Sequence, residues 1–177
     1  MKTKNPHDAL SVIYARKSVR NFTGESVGME ELQELIKAGM AAPSAVNCQP
    51  WEFILVTERT TLDKLGDALP FAKMIYKAGA AIVVCGIPQQ AHKKFLEYAI
   101  LDPALASENI LLAAEAMGLG AVWTAAYPYP DRMDVVRIIL SIPKDVIPLN
   151  VIPIGHPTGE DVPKDKFKKE KIHREKW

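Results

Sequence analysis

The sequence of 177 residues has few cysteines, no excess of charge of either sign and no long apolar run. Cys48 and Cys85 are too few for a disulfide framework or a cysteine-ligated zinc site. The four histidines have no HExxH or other metal-binding spacing, so no metal site is predicted. Because 22 basic residues face 21 acidic ones, the chain lacks the cationic surplus of a nucleic-acid-binding protein, and no nucleic-acid partner is expected.

Membrane and nucleotide signatures are also missing. The apolar segments are broken by Glu, Asn or Pro before they reach the length of a membrane span, so no membrane partner is expected. Residues 1–6 lack the apolar core of a signal peptide. Neither GxGxxG nor GxxxxGK[ST] occurs, which disfavours a Rossmann dinucleotide site and a P-loop. With 48% hydrophobic residues, the sequence predicts a cytoplasmic protein with a single globular domain over 1–177.

Two helices are predicted in the first quarter of the chain. Asn5-Pro6 combines a capping residue with proline at the first helical position, and predicts a short helix to about Arg16. From Met29 the apolar residues follow helical spacing until Pro43 ends the segment.

A third predicted helix is apolar on nearly all sides. Asp102-Pro103 has the same cap-plus-proline pattern and predicts a helix over Ala104–Met117. An all-round apolar helix is buried, and in a chain of this length that suggests a subunit interface.

Four β-rich runs separated by helical stretches predict a mixed α and β domain with one small sheet. The predicted strands are Trp51–Thr57, Ala80–Gly86, Ala121–Thr124 and Val146–Gly155. The two prolines of the last run indicate an edge or irregular strand. Residues 157–177 have no firm period and are predicted to form an extended arm of the kind that can lie on a partner subunit.

The segment Arg16–Arg20 (RKSVR) has two interpretations. If it is extended, Arg16, Ser18 and Arg20 share one side, and two guanidinium groups with a hydroxyl suit a phosphate. The alternative is a solvent-facing basic turn.

The segment 42–51 (APSAVNCQPW) also allows two readings. Ser44, Asn47 and Gln49 offer neutral hydrogen bonds of the kind that a heteroaromatic ring edge or a polyol requires. Ordinary turn chemistry would use the same residues.

Four motifs in register resemble the FMN-dependent nitroreductase family in its short form. They are RKSVR, APSAVNCQPW, ENILLAAEAMGLGAVWTAAYP and IPIGHP. The resemblance extends over essentially the whole chain. It implies an α+β fold, with a small central sheet flanked by helices, and an intertwined homodimer with two FMN sites at the subunit interface.

The resemblance assigns FMN contacts residue by residue. Arg16 and Ser18 resemble phosphate and ribityl contacts, Lys17 contributes through its backbone, and Arg20 resembles the cation near the pyrimidine edge of the flavin. The contacts expected from the other subunit are Pro43, Ser44, Ala45, Asn47 and Gln49.

Further expected contacts lie in the second half of the chain. Thr124, Ala125 and Ala126 match a segment that passes flavin N5, where a backbone N–H is expected. Gly155 and His156 match the turn before the basic arm, and one arm residue, Lys166 or Lys168, is expected to reach the phosphate.

The chain departs from the family pattern in two places. Ala125-Ala126 stands where glycine is common, and alanine adopts positive φ less readily. Lysines replace arginines in the arm, which gives point charges instead of planar forks. Tyr127 and Tyr129 are candidates for the substrate pocket, whereas Cys48 is interpreted as a small filler.

The resemblance implies an NAD(P)H-dependent flavin oxidoreductase that works by ping-pong hydride transfer to an electron-poor acceptor, such as a nitroaromatic or a quinone. No catalytic side chain is expected, because the cofactor performs the chemistry. One alternative is a flavin-binding protein for storage or sensing, without turnover. A second is a homodimeric interaction protein whose basic ends bind an acidic partner.

Overall fold

The computed structural model describes residues 9–177, in which an antiparallel sheet lies between two layers of helices. The helices are α1 Ala9–Ala15, α2 Met29–Met40, α3 Arg59–Ala68, α4 Tyr98–Ala116 and α5 Pro130–Leu140. The strands are β1 Trp51–Val56, β2 Ala80–Gly86, β3 Gly120–Ala121, β4 Thr124–Ala125 and β5 Ile147–Gly155. Short 3₁₀ turns cover Ala45–Asn47, Lys73–Lys77, His92–Lys94 and Lys169–Lys171. Among these residues no helix is long and apolar enough to cross a membrane.

The sheet has the order β1-β2-β5-β3, and β4 also pairs with β5. Strand β2 is buried along its whole length, and its two faces pack against the two helix layers. Ile82 and Val84 pack with residues of α2 and α4. Val83 and Cys85 face the other side and pack with α3 and α5, as the alternation of a strand requires. The predicted mixed architecture with one small sheet is confirmed.

Of the two alternatives predicted for the last strand, the irregular strand is confirmed by a register shift in its pairing with β2. It is not an edge strand, because β5 has β2 on one side and β3 and β4 on the other. Pro148 is tolerated at a register shift opposite Val84 and Cys85. The Ile154 carbonyl accepts a bond from the Gly79 N–H on the side of β2. Strand alternation therefore turns the imino nitrogen of Pro153 toward the gap between β3 and β4, where the ladder is interrupted.

The predicted start of the third helix is also wrong. Helix α4 begins at Tyr98, so Asp102 and Pro103 lie inside it. Proline has no N–H, which leaves the carbonyl of Ala99, four residues earlier, without its helical donor. That carbonyl lies against Gly86 of β2, so close that a Cβ at position 86 would be 2.0 Å from the oxygen. The freed carbonyl therefore leaves room at position 86 for a residue without a side chain.

Other boundaries differ in detail. The predicted start of the first helix lies outside the described residues, and α1 ends at Ala15. The predicted strand Ala121–Thr124 is two short strands, β3 and β4, separated by two residues. Trp51 is buried, in keeping with a core position.

Residues 157–177, called the C-terminal arm below, run mostly without regular structure over the surface. Four of its apolar side chains are largely exposed: Val162 (69%), Phe167 (74%), Ile172 (58%) and Trp177 (102%). The arm begins at a bridge between Phe22 and Pro157.

Candidate functional site

The segment Arg16–Arg20, called the basic segment, is held against the edge of the sheet. The Val19 N–H donates to the Ala121 carbonyl at 3.0 Å. The Val19 side chain is buried against Gly120, where a Cβ would come within 2.5 Å of Val19 Cγ1. With Val19 turned inward, alternation leaves Ser18 and Arg20 on the outer side.

The basic segment and the C-terminal arm enclose a cavity of about 470 Å³, called the basic cavity. Its lining residues are Arg16, Lys17, Ser18, Arg20, Glu160, Asp161, Val162, Lys164 and Lys166. Five cationic side chains and one hydroxyl group therefore face two carboxylates. Guanidinium, ammonium and hydroxyl groups all donate hydrogen bonds to phosphate oxygens, so this donor set fits a phosphate monoester.

Helix α4 supplies counter-charges behind the basic segment. Arg16 Nε lies 3.3 Å from Glu108 Oε1, and Lys17 Nζ lies 3.0 Å from Glu115 Oε2. The Lys17–Glu115 pair is mostly buried on both sides. The Lys17 ammonium is thus already paired, which leaves its backbone as the part available to a ligand.

Asp161 joins the arm to the basic segment. Its Oδ2 accepts hydrogen bonds from the backbone N–H of Arg20 at 2.9 Å and of Asn21 at 3.0 Å. Partial burial by itself would raise the pKa of this carboxyl, but these hydrogen bonds and the nearby Arg20 charge together lower the pKa below its ordinary value of 3.8.

Residues 43–49, called the Pro43–Gln49 loop, have a strained backbone. Val46, Asn47 and Gln49 all have positive φ, between 51° and 57°. Left-handed backbone is uncommon for a β-branched residue, and such outliers cluster at functional sites. The Ser44 hydroxyl accepts the Gln49 N–H, and Gln49 Nε2 donates to Asn47 Oδ1.

A buried carboxylate of α4 anchors this loop. Asp102 is 4% exposed, and its Oδ2 accepts the Ala45 N–H at 3.1 Å. Asp102, which the sequence predicts as the cap of α4, therefore caps the 3₁₀ turn Ala45–Asn47 instead. The loop lines a second, mainly apolar cavity of about 440 Å³, called the loop cavity, with Tyr98, Leu101, Asp102, Ala104 and Leu105.

The structure separates the two groups of candidate residues. The residues that line the loop cavity do not include the basic segment, and those that line the basic cavity do not include the Pro43–Gln49 loop. Both are attached to α4, the loop through Asp102 and the basic segment through Glu108 and Glu115. At 1.5 Å per residue, these anchors lie about 9–20 Å apart along the helix.

The segment 124–126 forms part of the sheet. Thr124 and Ala125 pair with Val151 and Asn150 in β5. The Ala126 N–H donates to the Leu149 carbonyl and its side chain is fully buried, so this amide is not available to a flavin. Thr124 Oγ1 is buried and has no hydrogen-bond partner among residues 9–177.

Three other predicted contacts lie away from the basic cavity. Gly155 is buried, and a Cβ there would meet Phe22 at 3.0 Å, so its role is to allow close packing. His156 Nε2 lies 3.3 Å from the Ser26 carbonyl, in a turn. Lys168 is not among the residues that line the cavity, whereas Lys166 is.

Sequence reasoning missed Lys164 and the acidic residues that hold the site together. Lys164 and Lys166 alternate along the extended arm, and that period of two was a usable signal. No comparable local signal existed for Asp102, Glu108, Glu115 and Asp161, because each is bonded to a segment distant in sequence.

The chain is similar to known proteins over most of its length. The profile described as the Nitroreductase family matches residues 13–70 and 67–156. A crystal structure from Parabacteroides distasonis, provisionally named an NADH dehydrogenase/NAD(P)H nitroreductase, is 49% identical with a TM-score of 0.89, and the match covers 95% of this chain and 98% of that one. A similarly named protein of Archaeoglobus fulgidus is 39% identical over 96% of this chain and 99% of its own length. The FMN reductase (NADPH) of Bacillus subtilis is 26% identical over 96% of this chain and 74% of its own length.

The fold and the site define a short α+β chain with a cavity lined by cationic side chains at the edge of its sheet. The chain belongs to the nitroreductase family, and the predicted nitroreductase-like fold is confirmed.

Proposed function

We propose that this chain is an FMN-dependent oxidoreductase that uses NAD(P)H and acts in the cytoplasm. Relatives named as NAD(P)H nitroreductases and flavin reductases support the enzyme class. The observation that supports FMN as the cofactor is the basic cavity, whose cations and hydroxyl suit the phosphate of FMN. When bound, FMN supplies hydride transfer from NAD(P)H to an acceptor, so the protein itself needs no nucleophile or acid–base pair.

Each part of the basic cavity has a separate task in this proposal. Arg16, Ser18 and Lys166 bind the phosphate, with Lys17 acting through its backbone. Arg20 stands at the other end of the basic segment and is directed to the flavin ring. The amide of Ala125 is the proposed contact at N5, because strand alternation turns it away from β5, whereas the amide of Thr124 faces β5 as that of Ala126 does.

We further propose that the functional unit is an intertwined homodimer. The Pro43–Gln49 loop would complete the flavin site of the partner, because within one chain it lines a different cavity from the basic segment. Apolar side chains on α1 and α4 are exposed in the single chain, as expected of a subunit interface: Leu10, Ile13, Tyr14, Leu101 and Leu105.

The proposed reaction is ping-pong hydride transfer, with an electron-poor acceptor such as a nitroaromatic or a quinone. Tyr127 and Tyr129 are the proposed residues of the acceptor pocket. Tyr129 is 44% exposed, and the Arg132 guanidinium stacks on its ring at 3.7 Å.

The test is the visible spectrum of the purified protein. We expect a yellow protein whose flavin absorbance bleaches anaerobically with NADPH or NADH and returns when a quinone is added. A flavin that stays oxidised with both nucleotides would favour the storage or sensing alternative. A protein that is colourless even after incubation with FMN would refute the cofactor and leave the interaction-protein alternative.

A further inference from the structure

Asp161 is an acidic residue in the wall of a cavity that the proposed function assigns to a phosphate. A carboxylate there repels an anion, so its charge opposes that function. In the structure Asp161 makes backbone contacts instead: its Oδ2 accepts the N–H of Arg20, at 2.9 Å, and of Asn21, the residue after the basic segment, at 3.0 Å. The side-chain amide of Asn21 lies 3.4 Å from the same oxygen.

These bonds connect the two walls of the basic cavity. Arg20 and Asn21 continue the wall that carries Arg16 and Ser18, whereas Asp161 lies three residues before Lys164 and five before Lys166. Backbone bonds from Thr23 to the His156 carbonyl and from Thr158 to the Asn21 carbonyl fix the first residues of the arm. Compared with these backbone bonds, those of Asp161 to Arg20 and Asn21 lie nearer in sequence to the two lysines.

We propose that Asp161 is a positioning residue that holds the C-terminal arm across the basic segment and so brings Lys164 and Lys166 to the phosphate. This inference rests on the proposed FMN site. It assigns the arm lysines their place through a carboxylate that does not itself bind the ligand.

The proposal predicts opposite effects of two substitutions at the same position. Asp161→Asn removes the repelling charge but keeps an oxygen that can accept the two N–H groups. We expect this variant to bind FMN as tightly as the wild type or more tightly. Asp161→Ala removes the charge and the acceptor together, and we expect FMN affinity to fall by about tenfold or more, because hydrogen bonds to a charged group are lost and the lysines lose their position.

A control variant and a second ligand separate positioning from charge. Asp165→Ala removes the same charge from the same arm, but the Asp165 carboxylate accepts the Phe167 N–H, a bond within the arm. We expect no loss of FMN affinity in this control. Riboflavin, which lacks the phosphate, should bind the wild type and Asp161→Ala equally.

FMN affinity is measured by fluorescence quenching of the apoprotein, and a double-mutant cycle completes the test. Lys166→Ala should weaken FMN binding in the wild type and have a much smaller effect when Asp161→Ala is already present. Additive effects of the two substitutions, or an Asp161→Ala variant that binds FMN as tightly as the wild type, would overturn the proposal.

The bonds from the Arg20 and Asn21 amides to Asp161 are called the latch below. Hydrogen exchange of the flavin-free protein tests this latch independently of the proposed function. The Arg20 and Asn21 amides should exchange faster in Asp161→Ala than in Asp165→Ala. Unchanged exchange refutes the latch whatever the protein binds. Faster exchange in a protein with no affinity for FMN would retain the latch and refute the proposed cofactor.

Discussion

At the residue scale, Arg16 and Arg20 line the same cavity but have different surroundings. Arg16 is paired with Glu108 and is mostly buried, whereas Arg20 is exposed and its guanidinium donates to the Ser18 carbonyl at 3.4 Å. Four residues of extended chain span about 13 Å, which is long enough for one arginine to serve the phosphate and the other the ring. Arg16→Ala should therefore weaken FMN binding by about 1.5–3 kcal/mol in both redox states.

Arg20→Ala should instead lower the midpoint potential of the flavin, because a cation near the ring stabilises the more negative reduced form. A change of about 30 mV corresponds to about 1.4 kcal/mol for a two-electron couple. Arg174→Ala, which removes a charge from the exposed end of the arm, should change neither quantity. A shifted potential in Arg16→Ala alone would reverse the assignment, and no effect of either substitution would favour the basic-turn interpretation.

The lowered pKa of Asp161 gives the latch a pH dependence. Because the folded pKa lies below the ordinary value of 3.8, the ionised carboxylate favours the folded contact at every pH above that value. The contribution is lost as the pH falls through the folded pKa. We expect protection of the Arg20 and Asn21 amides to be constant from neutral pH to about pH 4 and to fall below it, as measured by hydrogen exchange corrected for its intrinsic pH dependence. Protection that already falls between pH 7 and pH 5 would contradict this assignment.

At the element scale, Pro103 and Gly86 form a pair that joins α4 to β2. Gly86→Ala would place a methyl group 2.0 Å from the Ala99 carbonyl oxygen, and a backbone atom cannot move aside as the end of a flexible side chain can. We expect a loss of stability at or above the upper end of the ordinary overpacking range of about 1–3 kcal/mol, measured by urea unfolding.

Pro103→Ala is the partner variant for this test. It restores an N–H that can draw the Ala99 carbonyl back into the helix, so the cost of Gly86→Ala should be smaller in that background. Equal costs in both backgrounds would mean that the freed carbonyl is not what excludes a side chain at position 86.

The elements that could be predicted from the sequence are those with local patterns. The runs of β1 and β2 and the period of α2 are local patterns, and the predicted bounds of these elements agree with the structure to within a few residues. The proline in α4 was misread as a helix start, and the prolines in β5 left an edge strand and an irregular strand both open. The features that accompany them, Gly86 and a bulge in the sheet, lie far away in sequence.

The candidate site likewise contains residues that the sequence could identify and residues that it could not. Its cations could be read from RKSVR and from the arm because charge is a property of the residue itself. The carboxylates that hold those cations could not, because the partnership of Lys17 with Glu115 spans 98 positions and exists only in the fold.

At the scale of the whole molecule, exposed apolar side chains on α1 and α4 predict a homodimer. Light scattering at micromolar concentration should give twice the chain mass of 19.6 kDa. Leu105→Lys should weaken the dimer and FMN binding together, because the proposed flavin site draws on both subunits. Ile138→Lys, at an exposed apolar position of α5, should change neither. A wild-type monomer, or a monomeric Leu105→Lys variant with unchanged FMN affinity, would contradict the shared site.

Helix α4 has a consequence for how the chain can vary in length. Its residue 102 holds the Pro43–Gln49 loop, and its residues 108 and 115 hold the basic segment. Each residue of a helix advances about 1.5 Å and turns about 100°. One residue inserted between positions 102 and 108 would therefore swing one anchor around the helix relative to the other. Surface loops generally tolerate insertions, but the number of residues between these anchors has to stay constant.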